Sequence, residues 1–198
     1  MADKWSVKPV EDLEPREVLW PWPELPERVA QQLELIAAEE SASEDEDENE
    51  DDSSELADPD TGVVFDGLVP RPWNLPELGE KLQAAVLGWL DDVVMWHNHA
   101  YGWQEEQIIP ACWQLHEGLA LDLAALAFGR IDAYATATAA YVGRWHSDWE
   151  DFQRRMVSAL GETGRDCRRG DHKHPGEYAA TAVREVIMKR RAAAPAAS

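Results

Sequence analysis

Between residues 76 and 160 apolar side chains recur at helical spacing almost without a break, and no stretch there alternates as a strand does. Leu78, Leu82, Ala85, Val86, Trp89, Leu90, Val93 and Trp96 form one broad stripe, which predicts a helix over 76–101 closed by Gly102. Pro110 suits the first turn of a second helix over 110–136, with Leu115, Leu119, Leu123, Leu126 and Ile131 inward. Tyr141, Trp145, Trp149, Phe152, Met156 and Leu160 place a third over 138–160, stopped by Gly161 and Gly164. A fourth is predicted over 175–190 on Tyr178, Ala182, Val183 and Ile187. Short connections favour antiparallel neighbours, so the expected fold is all-α, a three- to four-helix bundle spanning 71–191. Residues 192–198 are expected to fray.

The segment before residue 71 differs in kind. Residues 1–70 hold 22 acids and 4 bases, whereas 71–198 hold 17 acids and 14 bases, so most of the net charge of −21 sits outside the bundle. Residues 1–38 form a Pro/Trp-rich segment in which Pro21, Pro23 and Pro26 deny a helix before Glu27. Val29, Leu33 and Ile36 then mark a short amphipathic helix. Residues 39–60 carry 13 acids and no base, and a run that repels itself and buries nothing is expected to be disordered, making 39–70 an acidic linker. Val63-Val64-Phe65 is too short to demand a sheet. No apolar run is long enough to span a membrane. The opening MADKWSV lacks the shape of a secretory signal, so a cytoplasmic protein is expected.

Both cysteines have a histidine close by: Cys112 with His116, and Cys167 with His172, with His174 just beyond. On a helix, positions i and i+4 share a face, so Cys112 and His116 can meet one ion. Cys167 and His172 lie in a glycine-containing stretch that can curl. If the second and third helices run antiparallel, the start of one lies beside the end of the other. Four ligands about 50 residues apart in sequence then converge at one end of the bundle. A filled Cys2His2 set is the pattern of a structural zinc site, with no position left for water. The alternatives are two ordinary buried cysteines with surface histidines, or a redox disulfide between Cys112 and Cys167. His97, His99 and His146, with Asp148, offer a metal-dependent hydrolase as a competing reading. Neither His97/His99 nor His146/Asp148 shares a helix face, however, so core hydrogen bonding is the plainer role.

Residues 152–198 hold ten bases and five acids. Arg165, Arg168, Arg169 and Lys173 surround the second Cys/His pair, and Arg184, Lys189, Arg190 and Arg191 follow. Together they offer nucleic acid a phosphate-facing surface over 152–191; the plainer alternative is a solubilising surface with cations at helix ends. The acidic tract can cover this basic end, or act as a polyanion-mimicking decoy for a nucleic-acid-handling partner.

The order of landmarks from Trp89 to His174 resembles an uncharacterised helical domain family of actinobacterial chromosomes, plasmids, integrative elements and phages. The matching features are Trp89 and Trp96, then IIPACWQLHEGLALDLAAL, Trp145-His146, and a closing Cys167 with His172. The resemblance implies a mobile-element setting and supports the four-ligand set, but carries no activity. The expectation from sequence is therefore a non-enzymatic accessory or interaction protein with a protein partner and a zinc-stapled helical domain.

Overall fold

The structure is a computed structural model, and it describes residues 19–45, 56–57, 64–65, 69–172 and 183–189. The fold is all-α, as the spacing predicts. Helix α1 spans Glu27–Asp45, α2 Glu80–Tyr101, α3 Glu117–Ala135, α4 Ala139–Leu160 and α5 Thr163–Arg168. Single 3-10 turns at Leu75–Glu77, Glu105–Gln107 and Trp113–Leu115 shape the connections.

The core is one cluster shared by α1 to α4. Trp89, Leu90 and Val93 of α2 meet Leu123, Ala124 and Phe128 of α3 and Trp149, Phe152 and Met156 of α4. Only three residues separate α3 from α4, so the two run antiparallel and pack on each other. The Trp145 indole donates to the Leu126 carbonyl at 2.9 Å across that interface. The Thr138 hydroxyl caps α4 by accepting from Ala140 N–H. At the far end Gly161, with φ of 51°, closes the helix in a conformation that other residues resist.

Several expectations need correction. The second helix does not begin at Pro110: residues 113–115 form a 3-10 turn, His116 is the N-cap, and α3 starts at Glu117. Leu115 and Tyr141, expected inward, are exposed. Gly164 lies within α5 rather than stopping a helix. In the N-terminal region α1 runs to Asp45, past the boundary expected at residue 38. Glu39 is held rather than solvated: it accepts the Val69 N–H at 2.9 Å and pairs with Arg71 at 3.1 Å. A two-residue antiparallel ladder joins Leu56–Ala57 to Val64–Phe65, where no sheet is expected.

Residues 183–189 are helical, as expected for the fourth helix, but exposed throughout, with Val183 and Ile187 facing solvent. The rest of that predicted helix, the frayed tail and most of the acidic run lie outside the described residues. No helix among the described residues is long and apolar enough to cross a membrane.

Candidate metal centre

The antiparallel α3–α4 pair carries the N-terminal end of α3 to the C-terminal end of α4, where α5 follows after a two-residue turn. Cys112 and His116 flank the 3-10 turn that leads into α3. Cys167 sits in α5, on a helix rather than a loop, and His172 lies just after it. The His116 Nε2 is 3.6 Å from the Cys112 sulfur and 3.6 Å from the Cys167 sulfur. The His172 Nδ1 is 3.9 Å from the Cys167 sulfur. All four ligand atoms lie within 4.8 Å of one another, close enough to hold a metal ion.

Those separations have a chemical meaning. A tetrahedral ion with metal–sulfur bonds of about 2.3 Å and metal–nitrogen bonds of about 2.05 Å sets S···N edges near ~3.6 Å. Cys167 and His116 are buried, while Cys112 and His172 are partly exposed. Both cysteines are free thiols. Partial burial pushes the Cys112 thiol up to about 11, and the neighbouring Cys167 sulfur adds to the rise. A divalent cation reverses that balance by stabilising the thiolate.

Hydrogen bonds from α2 and α5 brace the segments that carry the ligands. The Asp91 carboxylate on α2 accepts the buried Trp113 indole N–H at 2.8 Å and the Gln114 amide at 3.2 Å. Both donors belong to the turn between Cys112 and His116. Asn98 fixes the approach to that turn, accepting from Ile109 N–H at 2.8 Å and donating to Ile109 O at 3.0 Å. Arg168, next to Cys167, donates to the carbonyls of Ile108 at 2.8 Å and Glu106 at 2.6 Å. Sequence spacing alone could not find Asp91 and Asn98, because each lies more than ten residues from its partner.

The other sequence candidates disperse. His97 is fully buried; the hydrogen-bond network assigns its proton to Nδ1, which donates to Asn98 Oδ1 at 3.3 Å, while Nε2 accepts from Gln153 at 3.2 Å. His99 stacks on Trp20, and His146 bonds the Tyr101 hydroxyl at 2.7 Å. Among the described residues, no group of three or more metal-ligating side chains includes His97, His99, His146 or Asp148. The basic residues also fall in different settings. Arg168 is committed to backbone carbonyls, and it shares a cleft of about 460 Å³ with Arg165 and the acids Glu105, Glu106, Glu162 and Asp166. Arg169 is exposed, as are Arg184 and Lys189 on the helix at 183–189. Lys173, Arg190 and Arg191 lie outside the described residues, as does His174.

Fold and site together define an all-α bundle with a Cys2His2 cluster at one end. No known protein family, curated protein or solved structure matches this chain.

Proposed function

We propose that Cys112, His116, Cys167 and His172 bind one structural zinc ion, and that the zinc-stapled bundle is a non-enzymatic interaction module. The observation that carries this reading is the closeness of four soft or borderline ligands, two thiols and two imidazoles, within 4.8 Å. That donor set suits zinc, and four protein ligands leave no vertex for a catalytic water. The ion ties α5 and the segment after it to the start of α3, so its binding free energy becomes folding free energy. In this reading the protein works in the cytoplasm, where thiols stay reduced. The landmark resemblance supports an accessory role in a mobile element, with another protein as partner.

The hydrolase reading requires an open coordination position. Cobalt(II) titration separates the two. A closed site gives intense visible bands of a tetrahedral S2N2 ion at one equivalent, with thiolate charge transfer that Cys112→Ser and Cys167→Ser each diminish. Weak bands of a five- or six-coordinate ion that respond to added azide would contradict the structural reading.

A further inference from the structure

Residues 19–26 lie over the bundle on a surface made of indole rings, and the way they are held does not depend on the metal centre. Pro21 and Pro23 fix φ near −65°, and each pushes the tryptophan before it toward extended or polyproline geometry. The carbonyls of such a segment find no donors within the segment itself. Here two are met by side chains of α2. The Trp96 indole N–H donates to Trp20 O at 3.2 Å, and the Trp89 indole N–H donates to Pro23 O at 3.3 Å. Between those two contacts the Trp22 ring enters a pocket of aromatic edges. It lies 4.7 Å from Trp96 and 5.8 Å from Trp145, both nearly perpendicular to it. The Arg130 guanidinium closes the pocket 4.5 Å from the Trp22 centroid.

Indole N–H groups reading the carbonyls of a proline-rich segment, with a ring pocket between them, are the working parts of aromatic grooves that bind polyproline-type peptides. The hold is uneven, with Trp22 and Leu25 packed on the core and Trp20 stacked on His99 at one edge. Trp20 is 49% exposed and Leu19 is 73% exposed, so much of the segment faces water. We infer that the cleft formed by Trp89, Trp96, Trp145 and Arg130 is a receptor for Trp-Pro linear segments of partner proteins, and that residues 20–23 are its resident intramolecular ligand. A partner segment of the same chemistry displaces the arm, and the tether sets the threshold, because a linked segment competes at an effective concentration of about a millimolar.

The test uses the full chain and a synthetic peptide with the sequence of residues 18–27, VLWPWPELPE. The Trp20→Ala/Trp22→Ala chain, whose own arm no longer fills the pocket, is expected to bind the peptide at least about tenfold more tightly than wild type does. A peptide carrying Pro21→Ala and Pro23→Ala is expected to bind at least about tenfold more weakly than the parent. Should the double variant fail to fold, the wild-type chain with ¹⁵N-labelled indoles decides. Unlabelled peptide at about 5 mM then moves the Trp20 and Trp22 resonances to their solvent-exposed positions and leaves Trp113 in place. A folded double variant that ignores the peptide, equal binding of the proline-free peptide, or arm resonances unmoved in wild type would each overturn the inference.

Discussion

At the residue scale, the chemistry rests on a few polar side chains with assigned partners. Asp91 is the clearest case, since one carboxylate fastens the turn that carries Cys112 and His116. Asp91→Ala leaves the Trp113 indole N–H buried without an acceptor, at a cost of about 1–3 kcal/mol. It is also expected to weaken metal affinity by about tenfold, the equivalent of ~1.4 kcal/mol, because the turn it fastens carries two of the four ligands. Asp91→Asn keeps an acceptor oxygen and is expected to retain most of both. Competition with a colorimetric chelator measures the affinity, and urea unfolding measures the stability. His97 makes a separate prediction. Burial lowers its pKa from 6.5 to about 4, so the folded chain holds it neutral. Between those values the unfolded chain binds the extra proton, so stability is full above pH 6.5 and falls as the pH drops toward 4. The loss is on the order of 3 kcal/mol. Unfolding midpoints of wild type and His97→Gln at neutral and acid pH isolate this share, since protonation of the metal ligands is common to both. Equal acid sensitivity of the two chains would contradict the assignment.

At the scale of elements, the sequence is legible where a stripe and a glycine stop agree. Helix α4 begins one residue after its Thr138 cap and ends at Leu160, where Trp145, Trp149, Phe152 and Met156 had located it. The convergence of Cys112 with Cys167 was also legible, because it follows from two antiparallel helices of similar length. The turn at 113–115 was not. Its apolar spacing continues that of α3, and the long-range bonds from Trp113 and Gln114 to Asp91, which spacing does not reveal, fasten it as a separate turn. The N-terminal arm was equally hidden, since the carbonyls of Trp20 and Pro23 find their donors more than sixty residues away. Glu39 is not legible as a structural residue because charge patterning does not show that Arg71 and the Val69 N–H lie within its reach. Gly102 marks the junction between α2 and the chain leading to Cys112. A Cβ there would overlap the Asn98 carbonyl oxygen and Ile108 Cδ1. Gly102→Ala is therefore expected to cost about 1–3 kcal/mol and to displace the approach to the metal turn. Thermal melts of the variant with and without added zinc read both effects. A variant as stable as wild type, with unchanged zinc affinity, would show that the loop yields without consequence.

At the scale of the molecule, two devices fasten distant parts of the chain to one helical core. The tryptophan array holds the N-terminal arm against α2 and α4. The Cys/His cluster brings the end of the described bundle back to the start of α3. The aromatic core of α2, α3 and α4 is built from large buried side chains and folds the centre of the chain by apolar burial. The segment from α5 to His172 has little such material: in α5 only Gly164 and Cys167 are buried. Under the proposed zinc reading the ion supplies there what burial does not, so its removal is expected to release that end while leaving much of the helical signal in place.

The most direct test is the zinc content of full-length protein purified without a metal-affinity tag, read with a thermal melt before and after chelation. The account predicts one zinc per chain, lost in both Cys112→Ser and Cys167→Ser, with a melting temperature lower by about 10 °C or more in the chelated protein, as expected for several kcal/mol in a domain of this size. Protein that carries no zinc, takes none up when it is supplied, and melts identically with and without chelator would contradict it.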